Sequence, residues 1–405
     1  KRRWQTCHLL FYRKYFLMIN ALRVSLLIIL CSCSSNDEYS TTSRLHLDKA
    51  YNVASSIAVD PHIKTRSLYQ SKVVSVALEL DMPKTAENYA RQIRNWRAGL
   101  GLARVALYNA QAGDVEGVAK LVSEAIERGE DPLQDWRLNK VRSISSAALH
   151  LSGDDKNAKN VSEDLLPAER MEFDQAVAST VESKNIDEQI IACAKQINSM
   201  NFDEKISGLS SLLSLLEVVV SQEAYRNEIN DLINRGINDL PFFHRINFRV
   251  RVIEIHLDAN YRLPALKMAD ALLSEINELN LGAPDKIAAI SKLANLYYKC
   301  DDVEKARMLL SNGAQLYDEA EKSIVNIDRC ELLLMLAEVA HTSESAGIRD
   351  DLYVRALQAA FVNVNHRPRA EDVTQIYCSL AVNQVEPGEL LSLTLDEKYS
   401  VLVIY

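Results

Sequence analysis

Glycine and proline are scarce in this chain of 405 residues, with 12 Gly and 9 Pro, roughly half the average usage of about 7% and 5%. Turn-rich all-β and loop-rich α/β folds need more of both, so the composition points to an all-α protein. Phosphate-cradling loops are missing too, since neither GxGxxG nor GxxxxGK[ST] occurs, and nucleotide chemistry has no support. No HExxH or GxSxG motif is present, and the 8 His are isolated along the sequence, which leaves zinc hydrolysis and the serine nucleophile elbow unsupported. The 7 Cys include no CxxC pair, so neither a zinc site nor a redox dithiol is expected. Cys300 and Cys330 could bridge if neighbouring helices aligned them, but buried free thiols and no disulfide are the expectation. Only Trp96 and Trp136 remain beyond residue 32 of the 3 Trp, few for stacking sugar rings. No metal or cofactor and no catalysis are expected.

Hydrophobic residues make up 48% and charged residues 25%, a globular balance that argues against disorder or a multi-span membrane protein. The N-terminal stretch carries six basic residues, Lys1, Arg2, Arg3, Arg13, Lys14 and Arg23, and no acid through residue 32. Removing it leaves 40 Lys and Arg against 55 Asp and Glu, a net charge of −15. Such a surface repels phosphate backbones, so a nucleic-acid partner is not expected.

The first Met is Met18, a candidate start that would place residues 1–17 upstream of the translated protein. Residues 18–32 then read as a signal peptide: Arg23 gives the positive region, Val24 to Leu30 the apolar run, and Cys31, Ser32 and Cys33 the small-residue end. The run is about half of the roughly 20 residues that a membrane-spanning helix needs. Leu30-Cys31-Ser32-Cys33 resembles the bacterial lipobox, although Cys31 stands where Ala or Ser is commoner. The resemblance implies that Cys33 is acylated through its thiol and becomes the mature N-terminus, and Ser34 after it implies export to the outer membrane. Acyl chains at about 0.8 kcal/mol per buried CH₂ would hold the protein at a bilayer surface without spanning it. Residues 33–44, rich in Ser, Thr, Asn and Asp, read as a flexible tether.

From about residue 45 to 383 the helical period recurs. Ile206, Leu209, Leu212, Leu213, Leu216 and Val219 form one stripe, with Asn201 and Glu204 as a capping pair before it. Tyr225, Ile229, Leu232, Ile233 and Ile237 form the next, after a turn of a few residues. Short turns between amphipathic helices make antiparallel hairpins. First helices are expected near residues 66, 97, 133, 168, 203, 241, 285, 321 and 369, with turns at AGD (112 to 114), SGDD (152 to 155) and CDD (300 to 302). Asp154, Asp155, Asp301 and Asp302 in these turns read as helix caps. Repetition at this period signals a solenoid, because each hairpin buries its faces only against its neighbours. Residues 384–405 would add a last helix or cap burying Leu391, Leu395, Tyr399 and Leu402, with an unusually apolar VLVIY end.

Residues 287 to 318 resemble a tetratricopeptide (TPR) repeat, with Leu293, Ala294, Tyr297 and Ala306 at the family's spacing and DDVEKA supplying the turn. A second partial match carries Leu102, Val105, Ala106, GDVEG and Ala125, and a third keeps SGDDKNA and Ala158. The closing Pro is absent from all three. The resemblance implies a TPR-like superhelix, an α-solenoid whose concave groove binds protein or peptide. It places Ser291, Asn295, Tyr298 and Lys299 in that groove, where Asn295 and Lys299 suit a peptide carboxylate or backbone. Independently, PFFHRINFRVRV (241 to 252) sets Arg245 and Arg249 one turn apart among aromatics, the residue types of binding hot spots, although Arg stems covering the core and pairing with acids such as Glu254 would give the same pattern. The expectation is an outer-membrane-anchored, periplasm-facing lipoprotein acting as a scaffold or adaptor for an envelope protein or peptide. The alternatives are an all-α envelope enzyme, such as a glycan or peptidoglycan hydrolase with acids converging in the groove, and a cytoplasmic TPR-like protein with a spurious leader.

Overall fold

A computed structural model describes residues 36–131, 134–180, 185–199 and 201–403, with side chains from Thr41 onward. The leader, Met18 and Cys33 lie outside the described residues. Among them, regular structure is entirely helical. The chain runs through α1 (Asn36–Ser56), α2 (Val59–Glu79), α3 (Pro83–Gln92), α4 (Arg97–Gln111), α5 (Val118–Gly129), α6 (Asp135–Leu151) and α7 (Asp155–Ser162). After a 3₁₀ turn at Pro167–Glu169 come α8 (Met171–Ser179), α9 (Ile186–Ile197), α10 (Phe202–Val219), α11 (Glu223–Ile237), α12 (Phe242–Asp258) and α13 (Arg262–Glu278). The last six are α14 (Ala283–Lys299), α15 (Val303–Ala320), α16 (Asn326–Thr342), α17 (Ala346–Val362), α18 (His366–Val382) and α19 (Glu389–Val403).

The even-numbered helices from α2 to α18 start close to the nine expected positions. The largest offset is at α2, whose backbone is non-helical at Asp60 and His62, so that its regular part begins a turn after Val59. One local device ends most of them. At the ends of α2, α4, α6, α12, α14, α16 and α18 a single residue takes positive φ: Asp81, Gly113, Gly153, Asn260, Asp301, Glu344 and Gln384. The next residue then donates its N–H back over the last turn, as in Met82 to Ala77 O and Asp302 to Tyr297 O, both 2.9 Å. This left-handed cap satisfies carbonyls that the helix end leaves open and reverses the chain into the next helix. Asp154 and Asp302 cap the helices that follow, accepting from Asn157 N and Lys305 N. Their neighbours do other things: Asp155 pairs with His150 at 2.6 Å, and Asp301 with Arg262. Asn201 caps α10 by accepting from Asp203 N and Glu204 N, whereas the Glu204 carboxylate takes the Ser199 hydroxyl instead of closing a capping box.

Most helices pack on their sequence neighbours, α8 being the exception, and each even-numbered helix also packs on the next even-numbered one, α2 on α4, α4 on α6 and so on to α16 on α18. Small residues allow the close approaches. Ala294 and Ala306 are fully buried where α14 meets α15, and a Cβ at Gly99 of α4 would meet the Ala125 O and Gly129 backbone of α5. The array then returns to its start, because α18 packs on both α1 and α2. Ser43 Oγ donates to Ala381 O at 2.9 Å, His46 Nε2 lies 3.1 Å from Val385 O, and Lys49 pairs with Asp396 at 3.0 Å. One apolar core therefore runs from Leu47 to Ala158 and resumes from Ile246 to Leu402, while a second, between Ala178 and Ile255, fills the middle of the chain.

At the N-terminal end residues 36–44, read from the sequence as part of a flexible tether, are helical within α1, and Ser43 is buried against α18. The last helix forms and buries Leu391, Leu395 and Leu402, with Tyr399 partly buried against the Tyr377 ring. Cys193, Cys300, Cys330 and Cys378 are free thiols, and no described helix is long and apolar enough to cross a membrane.

Candidate functional site

The inward faces of α2, α4, α6, α14, α16 and α18 surround a cavity of about 760 Å³. α14 contributes only Asn295, and the other helices contribute residues at helical spacing. On α2 these are Leu68, Ser71, Lys72, Ser75, Val76 and Glu79, and on α16 Glu331, Leu334, Met335, Glu338 and Thr342. Charges of both signs line it: Arg97 and Arg104 from α4 and Lys140 from α6, Glu331 and Glu338 from α16, and Lys72 and Glu79 from α2.

The cationic wall is built on α4. Arg97 and Arg104 are seven residues apart, hence on one face. Arg97 lies over the Trp96 ring at 4.8 Å, and Trp96 meets Trp136 edge-on at 5.5 Å. Arg104 donates to Ser75 Oγ at 2.9 Å and to Ser71 Oγ at 3.4 Å. Burial lowers the pKa of both guanidiniums, and repulsion from Arg137 and Arg104 lowers Arg97 further. Arginine stays protonated regardless; the Glu172 carboxylate partly offsets the charge of Arg104, whereas Arg97 meets only like charge.

On the acidic wall Glu338 accepts from Ser379 Oγ at 2.8 Å, and Ser379 Oγ lies 2.9 Å from the Tyr353 hydroxyl. Burial raises the Glu338 carboxyl above the usual range, and the nearby Glu79 charge adds to this against the Ser379 bond. Between the walls lie Leu100, Leu334, Met335 and Val382. Cys378 also faces the cavity, but burial pushes its thiol up to about 12, so it is not a thiolate at neutral pH. Among the described residues no three His, Cys, Asp or Glu side chains cluster for a metal.

The residues singled out in the sequence do not converge. Asn295 lines the cavity and accepts from Thr342 Oγ1 at 3.0 Å. Ser291, four residues earlier, is buried with its hydroxyl unpartnered. Lys299 turns the other way to pair with Glu254 of α12 at 2.9 Å, and Tyr298 is half-buried beside it. Arg249 pairs with Glu275 of α13 beside a smaller cavity of about 350 Å³, and Arg245 donates to Leu240 O. Arg251 bridges Glu217 and Glu254. These arginines are engaged within the fold, as arginines whose stems cover a core should be.

Sequence reasoning missed Arg97, Arg104 and Glu338. A signal was present for Arg104 and Glu338, each a charge set among apolar residues in RAGLGLARVAL and ELLLMLAEVA, whereas Arg97 opens its run and had none. Comparison with family models, curated proteins and solved structures finds no match to this chain.

Proposed function

We propose that this protein is a lipid-anchored scaffold of the bacterial cell envelope, acylated at Cys33, whose TPR-like α-solenoid holds a peptide or protein segment on its inward face. The carrying observation is that six alternate helices, drawn from both ends of the chain, line one cavity in which partly buried Arg97 meets like charge and partly buried Glu338 meets the acid Glu79. Charge that a fold desolvates and leaves without a counter-charge costs stability, and such sites are enriched in binding roles. Repeated left-handed caps after alternate helices support the solenoid reading. The LCSC motif supports the anchor, and confinement to a membrane would raise the effective concentration of an envelope partner.

The test is variant-dependent capture. A C-terminally tagged protein is extracted from native membranes in mild detergent beside L100E, which places a charge on the cavity wall, and I348E, which changes an exposed position on α17. Species retained by the parent and I348E but lost from L100E support the scaffold; species retained equally by all three contradict it. A second reading rests on the Glu79–Glu338 proximity. Two acids near one another, the pKa of one raised by burial, could serve acid–base chemistry on a glycan. If E338Q abolishes turnover of a cell-wall glycan preparation while the protein stays folded, the enzyme reading replaces the scaffold.

A further inference from the structure

We propose that the central cavity binds a short peptide free at both ends, its carboxylate held by Arg97 and Arg104 and its ammonium by Glu338. This rests on the ligand-holding function proposed above and names its ligand. Size comes first: about 760 Å³ lies within the roughly 300–1,000 Å³ of small-ligand sites, room for a short peptide. Charge comes second. Arg97 is repelled by Arg137 and Arg104, and the charge acting on Glu338 is that of the acid Glu79. A purely anionic ligand would bring Glu338 no counter-charge, and a purely cationic one would bring Arg97 none. A ligand carrying one charge of each sign satisfies both walls.

Geometry gives the rest. A planar guanidinium matches a carboxylate fork to fork, and Arg104 is held in place by the Ser71 and Ser75 hydroxyls. An alkylammonium can donate to the Glu338 carboxylate, which Ser379 already orients. Leu100, Leu334, Met335 and Val382 lie between, so apolar side chains on the peptide meet apolar wall. Gln375, Asn383 and Asn295 also line the space and can serve the peptide's amide groups. Trp96 is buried, but Trp136 is 52% exposed and offers an aromatic rim.

The experiment is equilibrium dialysis of the detergent-solubilised full chain against three randomised tripeptide pools, one free at both ends, one N-acetylated and one C-amidated, with bound peptide measured by mass spectrometry. The free-ended pool is expected to be retained at least about tenfold more than either capped pool, the scale of one lost charge-assisted hydrogen bond or pair of them. The R97Q variant should remove the preference for a free carboxylate and leave the amine preference, and E338Q the reverse. A merely structural role for either residue would weaken retention of all pools alike. Equal retention of the three pools, or none of any, overturns the proposal. If that occurs while partner capture still depends on Leu100, the scaffold stands without this ligand; loss of both overturns both.

Discussion

Asp372 on α18 is a buried carboxyl with one oxygen unpartnered. Burial raises its pKa to about 7, and the charges of Glu371 and Glu331 add to the shift. Beside it, burial pushes the Cys330 thiol up as well, with Asp372 and Glu331 contributing. The sign follows from proton counting. The folded chain binds a proton on Asp372 that the unfolded chain has released, so its ionisation removes stability as pH rises from about 4 to about 7. D372N is therefore expected to raise stability at pH 8 by on the order of 2–4 kcal/mol and to change it little at pH 4. Melting temperatures of both proteins across that range check this; a gap independent of pH would contradict it. Nothing in RAEDVTQIYCSLAV marks Asp372 as buried, because Asp at that position reads equally well as an exposed helix residue. By contrast, Arg104 was legible: LARVA flanks one charge with apolar neighbours on every side. Reading it needed the rule that a charge inside an apolar stripe faces something polar.

At the level of single helices, the left-handed cap is the repeating unit of the fold, yet glycine fills it at only Gly113 and Gly153 among the seven ends described above. Asp, Asn, Glu or Gln stands at the others, each at positive φ, a conformation that costs a residue with a Cβ roughly 1–2 kcal/mol. This explains why the AGD and SGDD turns were visible in the sequence, the CDD turn at Asp301 being read from its paired acids, and why the turns at Asn260, Glu344 and Gln384 were not. Their backbone is the same, but the residue that signals it is absent. Glu344 is exposed, so E344G is expected to stabilise the protein by about 0.5–1 kcal/mol after the added freedom of the unfolded glycine is allowed for. Chemical denaturation measures it, and a loss of stability would contradict the cap assignment. The register of α10, from Asn201 through Val219, was legible for the opposite reason: cap and stripe both use their commonest residues.

At the scale of the whole molecule, the meeting of α1 with α18 gathers helices from both ends of the chain around one cavity. Periodicity along a sequence reports which face of a helix is apolar, not which distant helix covers it. That is why the seam was illegible and why residues 36–44 looked like a tether. Leu47 is fully buried in it, so L47A is expected to cost about 2–5 kcal/mol. Hydrogen exchange should then quicken in α1, α18 and α19 together, while α10 and α11, in the second core, change little. Uniform acceleration throughout would contradict a distinct seam. His46 adds a pH dependence of known sign. Its pKa is lowered by burial, chiefly, and by Lys49, so the seam loses stability as pH falls through the unfolded value near 6.5 toward the folded one. Opening the seam would separate the cavity wall of α18 from that of α2, which ties ligand retention to closure of the array.

The most direct measurement is one native mass spectrum of the full-length protein extracted from its own membranes, resolving both the N-terminus and anything bound. The expected result is a chain beginning at an acylated Cys33 that carries additional mass, with that mass lost from the L100E variant. A chain retaining residues 18–32 without acylation, and with no bound mass, would contradict a lipid-anchored scaffold.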